Sequence, residues 1–171
     1  MPEVILVNEH DEELGSMEKL EAHIQGKLHR AFSVLVFNAR QELLLQRRAF
    51  GKYHSEGLWT NTCCSHPQPG ETLLDAAHRR LNEEMGMHTE LQAKFYFIYR
   101  AELDNNLIEH ELDHVLIGFS QEEPNINEDE VLEYKWMALS EIEKDIIANP
   151  SNYTAWFKTI INEHLAAIQP T

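Results

Sequence analysis

Residues 71–87 read ETLLDAAHRRLNEEMGM, and the rest of the chain arranges itself around them. Thr72 can cap a helix, with Asp75 completing a capping-box pattern. Leu74, Ala77, Leu81 and Met85 then fall on one apolar stripe, and Gly86 can end the helix in the left-handed conformation. The spacing predicts a helix over 72–85. Off the stripe, Arg80 and Glu84 stand one turn apart, with Glu83 beside Glu84.

Short strand-like segments surround this helix. Upstream, 4–8 reads as a strand and 16–25 as a short helix, with Met17, Leu20 and Ile24 on its stripe. In 30–37, Phe32, Val34 and Val36 point one way, and Ser33, Leu35 and Phe37 the other. A turn at 38–41 leads into 42–48 as a hairpin partner. Segment 58–64 is a third strand, ended by Pro67, Pro69 and Gly70. Downstream, strands are expected at 91–101, 111–119 and 131–137, the last entered from an acidic loop within 122–133. A helix starting at Ser140, with Glu143 in a capping box, stops before Pro150, and a last helix covers about 153–167. The order indicates an α+β fold with a mixed or antiparallel sheet flanked by helices, not a doubly wound one. The 171 residues suit a single domain spanning 1–171, with a short N-terminal extension at 1–15 that carries no recognisable motif.

The chain has 29 acidic against 14 basic residues, a net charge of −15 that repels nucleic acid and anionic membranes. Any basic cluster is therefore informative. No apolar run approaches the ~20 residues of a membrane span. The start, MPEVILVNEHDEEL, lacks the basic region of a signal peptide. The only cysteines, Cys63 and Cys64, are neighbours, so a useful disulfide is excluded and a reduced, cytoplasmic setting is expected.

Cys64 and His66 are two apart and face the same side of an extended segment. Glu109 and Glu111 do the same in IEHELDH, and two adjacent carboxylates repel unless a cation lies between them. His23 and His29 flank a Gly-containing connection. Together His23, His29, His66, Glu109 and Glu111 suit Mn²⁺, Zn²⁺, Fe²⁺ or Mg²⁺. Taken singly, each also fits a surface or core histidine, a solvated strand face or a small buried thiol. Glu71, Arg79, Glu83, Glu84 and Gly86 resemble the Nudix box, a loop–helix motif, here about 65–87, that holds a divalent cation on a diphosphate. Ser65 stands where the box opens with Gly, and Arg80 where the hydrolases carry a Glu.

The combination of KLEAH, LHRAFSVLVFN, LLLQRRA, TNTCCSHP, RRLNEEMG and EHELDHVLIG resembles the type I isopentenyl diphosphate isomerases, from about Lys19 to Trp156. The resemblance implies a Nudix-like fold and a metal-dependent interconversion of isopentenyl and dimethylallyl diphosphate, in isoprenoid biosynthesis. By position, Cys64 and Glu111 match the catalytic thiol and carboxylate. His23, His29, His66, Glu109 and Glu111 match the ligands of a Mn²⁺, Mg²⁺ or Zn²⁺ ion, and Glu84 the carboxylate of a Mg²⁺ bridging the diphosphate. Lys19, Arg48, Lys52, Ser65 and Arg80 match diphosphate contacts, while Tyr99 and Trp156 match aromatic residues of the hydrocarbon pocket. The implied partner is a small-molecule diphosphate, and the implied assembly a monomer or weak homodimer. A Nudix hydrolase of nucleoside-diphosphate compounds and a non-catalytic metal- or diphosphate-binding module are the competing readings.

Overall fold

In the computed structural model, residues 2–52 and 54–170 are described. The described strands, in chain order, are β1 (Glu3–Val7), β2 (Glu13–Glu18), β3 (His29–Phe37), β4 (Glu42–Arg48), β5 (Trp59–Thr60), β6 (Cys63–Ser65), β7 (Leu91–Glu102), β8 (Ile108–Phe119) and β9 (Val131–Ala138). The helices are α1 (Lys19–Gln25), α2 (Leu73–Met85), α3 (Leu139–Ala148) and α4 (Ala155–Ile168). All the strands join one mixed sheet, as expected for an α+β fold.

β3 is its hub. It runs parallel to β8 from His29↔Glu111 to Phe37↔Phe119, and antiparallel to β6 at Phe32↔Ser65, Ser33↔Cys64 and Val34↔Cys63. β8 in turn carries β7 antiparallel along its other edge. The alternation read in 30–37 separates two cores. Phe32, Val34, Val36 and Leu44 pack with Ala76, Ala77, Leu81 and Met85 of α2 on one face. Leu35, Phe37, Leu43, Leu45, Val115 and Ile117 pack with α3 and α4 on the other. Each large side chain so buried contributes ~1.5–3 kcal/mol relative to exposure.

Thr72 and Gly86 cap α2 as read, but among the described residues no bond returns from the Asp75 side chain to the Thr72 amide, so the capping box is half made. The Thr72 hydroxyl accepts from the Asp75 amide at 3.1 Å, and Gly86 has φ 61°. A Cβ on Gly86 would lie 2.5 Å from the Asn125 carbonyl oxygen, because the 125–127 loop folds tightly over this helix end. The Asn125 and Asn127 amides donate to the carbonyls of Met85 and Glu84, satisfying groups a helix end leaves open.

Several expectations need correction. Residues 13–18 form β2 against β1, so the first helix begins at Lys19. Leu20 and Ile24 are exposed, and α1 buries Ala22 and His23 instead. This short helix serves a polar site, not an apolar core. Leu74 on α2 is also exposed. β4 meets β3 only at Phe37↔Leu43 and makes its ladder with β9, because β6 and β8 already flank β3. The expected strand 58–64 is split into β5 and β6, with Asn61 and Thr62 turned inward as buried hydrogen-bonding groups. α3 begins at Leu139 behind Ala138, with no side-chain cap from Ser140.

Candidate active site

The face of β3 and β8 that ends in the α3/α4 core becomes polar toward the N-terminal ends of both strands. Along β8, Ile117 and Val115 give way to Asp113, Glu111 and Glu109 at the strand period of two. Register then sets His29 beside Glu111. His23 arrives from α1, and His66 follows β6. The donor atoms of His23, His29, His66, Glu109 and Glu111 lie within 4.8 Å of one another.

Backbone carbonyls orient two of the rings. His23 Nδ1–H donates to the Lys19 carbonyl and His29 Nδ1–H to the Lys27 carbonyl, both at 2.8 Å. Rings held this way through Nδ1–H turn their Nε2 atoms toward the cluster as the ligand atoms. Those atoms stand 3.4 Å from Glu109 Oε2 and 3.3 Å from Glu111 Oε2. His66 Nε2 is 2.7 Å from Glu111 Oε2. His29 Nε2 and Glu109 Oε2 are buried without a hydrogen-bond partner, which is costly unless another group satisfies them.

Electrostatics reinforce the geometry. Burial lowers the His29 pKa to about 4, and burial together with the charge of His29 lowers His66 well below its ordinary value. Burial works to raise both carboxyl groups. Glu111 ends well above the usual range because it also faces the Glu109 charge, whereas its close contacts with Glu111, His23 and His54 take Glu109 well below it. Three imidazoles around a pair of carboxyl groups, with orphaned buried ligand atoms, fit a divalent cation of mixed N/O ligation.

A cavity of about 390 Å³ opens beside this cluster. Cys64, Ser65, His66, Glu109, Glu111 and Trp156 line it, together with Lys19, Arg48, Lys52 and Arg80. The expected thiol, carboxylates and cations therefore share one space. Burial pushes the Cys64 pKa up to about 12, so the group carries its proton at neutral pH. Cys63 points to the other face, with Sγ 3.6 Å from Glu84 Oε2. Lys19 has a lowered pKa, first from burial and then from the charges of Lys52, Arg80 and Arg48, which line the same cavity. Arg48 donates to the Ser55 and His54 carbonyls and sits 5.3 Å from the Trp156 ring centroid.

Two expected residues take other positions. Tyr99 is off the cavity wall, and its hydroxyl donates to Glu111 Oε1 at 2.8 Å. It acts on the site through Glu111, with burial holding the phenol well above its usual pKa. Glu84 lies behind the wall. Its oxygens accept from Arg80 Nη2 at 2.8 Å and Gln46 Nε2 at 3.0 Å.

The sequence reading missed His54, Glu130 and Asp113. His54 lines the cavity, with Nε2 3.1 Å from Glu109 Oε2 and its ring edge-on to Trp156. No spacing rule marks it. Glu130 also lines the cavity but is hidden in the acidic run 128–130. Asp113 could have been found by carrying the 109/111 alternation one step further. It accepts from the Ser33 hydroxyl at 2.8 Å, and burial raises its pKa to about 8.

The chain matches the family described as NUDIX domain over residues 27–157. A Pectobacterium atrosepticum protein named isopentenyl-diphosphate Delta-isomerase is 55% identical, over 92% of this chain and 88% of that protein. An Aromatoleum aromaticum protein named isopentenyl-diphosphate Delta-isomerase 2 is 49% identical, over 94% of this chain and 85% of its own. Among solved structures, a Deinococcus radiodurans protein shares the fold with a TM-score of 0.74 at 18% identity, covering 92% of this chain and 96% of its own. A MutT protein from Methanosarcina mazei does so at 0.64 and 20% identity, covering 78% and 90%. With the NUDIX match covering most of the chain, and curated relatives near half identical over nearly all of it, the chain belongs to the isopentenyl-diphosphate Delta-isomerase family of NUDIX-domain proteins.

Proposed function

We propose that the protein interconverts isopentenyl and dimethylallyl diphosphate by a 1,3-proton shift, in isoprenoid biosynthesis. One observation carries this reading. A protonated thiol, Cys64, and a buried carboxyl, Glu111, from separate strands, line the same cavity as a group of cations. The reaction adds a proton to an unactivated alkene carbon and removes another from C2. Alkenes are very weak bases, so the acid must be well positioned and water kept out.

Cys64 and Glu111 are the two proton-transfer groups, and they exchange roles with the direction of reaction. Tyr99 holds the Glu111 carboxyl in place. Trp156 forms an apolar wall whose ring can stabilise positive charge without capturing it. Lys19, Arg48, Lys52, Ser65 and Arg80 hold the diphosphate. His23, His29, His66, Glu109 and Glu111 would hold Mn²⁺, Mg²⁺ or Zn²⁺, which supplies positive charge that makes Glu111 a stronger acid when protonated. Glu84 would hold a Mg²⁺ carried by the diphosphate. Its partner Arg80 lines the cavity and can exchange Glu84 for a phosphate oxygen. The neighbouring free thiols support a cytoplasmic setting. Among the described residues, no helix is long and apolar enough to cross a membrane.

Incubation with isopentenyl diphosphate and Mg²⁺, followed by assay of acid-labile product, tests the reading, because the allylic isomer ionises readily. Phosphate release from nucleoside diphosphates with no isomerisation would replace it with the hydrolase.

A further inference from the structure

A cavity built to hold a diphosphate should exclude carboxylates from its cationic wall, especially on a chain of net charge −15. Glu130 lies on that wall nevertheless. Its carboxylate pairs with Lys52 Nζ, and Oε2 stands 3.5 Å from Arg80 Nη2. Lys52 lies beyond β4 and Arg80 is on α2, so Glu130 ties together cations from two separate parts of the chain.

The backbone fixes Glu130 in that position. The Asn127 amide donates to the Glu84 carbonyl at the end of α2, and the Glu130 and Val131 amides donate to the Asn127 carbonyl. On the other side, the Ala49 amide donates to the Glu130 carbonyl at 3.1 Å. The loop is therefore fastened both to the helix that presents Arg80 and to the segment that leads to Lys52. The side chain is still 27% exposed, so it can turn toward water if its partners are taken.

The cations that line this cavity with it, Lys19, Arg48, Lys52 and Arg80, repel one another. A carboxylate among them relieves that repulsion before a ligand arrives. Once a diphosphate is bound, the same carboxylate becomes a like charge beside it.

We propose that Glu130 stands in for a substrate phosphate: it holds Lys52 and Arg80 together in the free protein and yields them to the incoming diphosphate. Glu130 thereby stabilises the free protein, weakens diphosphate binding and speeds release of the product. This rests on reading the cavity as the diphosphate site.

The test uses the full chain loaded with Mn²⁺, with inorganic pyrophosphate as the probe, in the wild type, Glu130→Gln and Glu130→Asp. Calorimetric titration gives affinity, and thermal unfolding with and without pyrophosphate gives stability. For Glu130→Gln the expected results are a lower unfolding midpoint without pyrophosphate and an affinity about tenfold higher, the size of one charge-assisted pair that no longer has to be broken. The midpoint difference from wild type should shrink at saturating pyrophosphate. Glu130→Asp, which keeps the charge, should stay near wild type in affinity. Generic structural damage would lower stability and affinity together. KM for isopentenyl diphosphate should fall in Glu130→Gln without a rise in kcat.

Unchanged or weaker pyrophosphate binding in Glu130→Gln overturns the proposal, and weaker binding would make Glu130 a contributor to the bound state. Tighter binding in a protein that fails to isomerise isopentenyl diphosphate would sink the proposed function and leave the role of Glu130 standing. Turnover with unchanged affinity would do the reverse.

Discussion

The molecule carries two acidic clusters, one on α2 and one at the ends of β3 and β8, and they are in opposite states. On α2, the acidic residues are matched by guanidinium groups. Arg79 forks onto Glu71 at 2.7 and 3.0 Å and reaches Glu83, while Arg80 bonds Glu83 at 2.7 Å and Glu84 at 2.8 Å. At the ends of β3 and β8 no arginine intervenes. Glu109 and Glu111 face the imidazoles of His23, His29 and His66, and His29 Nε2 and Glu109 Oε2 are buried with no hydrogen-bond partner. The difference teaches where positive charge is still needed. Arg80 brings a permanent cation to the helix, where the hydrolases carry another carboxylate. The strand cluster can be balanced only by a proton or a bound cation. In the proposed function the proton chemistry belongs beside the strand cluster, and the helix supplies grip on the diphosphate.

The adjacent cysteines divide between the two regions, so they break the comparison most directly. Cys64 lines the cavity and Cys63 faces Glu84 behind it. Cys64→Ala should lower kcat by about 10²–10⁴-fold, the usual worth of a positioned proton-transfer group. Its metal content and unfolding midpoint should stay near wild type. Cys63→Ala should keep most of its activity and lose some stability, because it leaves a small void in the α2 core. Equal losses of activity would end the assignment of roles to the two sides. Glu111→Gln should remove activity on the same scale and also weaken Mn²⁺ binding, since the proposed function makes one residue both proton carrier and ligand. Loss of turnover with full metal content would separate those roles.

Removing the metal should reveal the strand cluster and leave the helix cluster silent. A cation that binds only the folded chain adds ~2.7 kcal/mol at a hundredfold excess over its Kd. For a chain of this size that is a shift of about 5–10 °C in Tm. A chelator should lower the unfolding midpoint of the wild type, and Mn²⁺ should restore it. His29→Ala should abolish that response, because it deletes an imidazole whose Nε2 faces Glu111. An unchanged Mn²⁺ response in His29→Ala would move the cation elsewhere.

How much of this was legible in the sequence depended on the period carrying the signal. The α2 stripe and caps are local, and they were read correctly except for Leu74, which lies at the exposed edge of the first turn, and the Asp75 half of the capping box. Strands with strict alternation, such as 30–37, revealed both cores because i, i+2 spacing maps directly onto two faces. The same rule placed Glu109 and Glu111 together. The partner of β4 was misread because pairing is a tertiary choice, and β6 and β8 had already taken the edges of β3. His54 and Glu130 were missed because loops bring them to the cavity, and a loop has no period to count. α1 was misread because its inward face is His23 beside a small Ala22, while its apolar Leu20 and Ile24 face solvent.

The smallest expected effect is on the helix, and it sharpens the contrast. Glu83 is a surface group, 41% exposed, that touches Arg79 at 3.3 Å and Arg80 at 2.7 Å. In a Nudix hydrolase reading it would join Glu84 in holding the catalytic cation, and Glu83→Gln would then cost orders of magnitude in turnover. In the arrangement seen here it only helps to aim two arginines. Exposed ion pairs of this kind contribute ~0.2–1 kcal/mol, and salt screens them further. Glu83→Gln should therefore lower stability by less than ~1 kcal/mol and leave the Mn²⁺-dependent rise in unfolding midpoint intact. Its kcat for isopentenyl diphosphate should match wild type. KM should change by no more than a few-fold, through Arg80, which keeps its bond to the more deeply buried Glu84. A collapse of kcat in this one variant, with the His29 variant unaffected, would invert the comparison and return the metal chemistry to the helix.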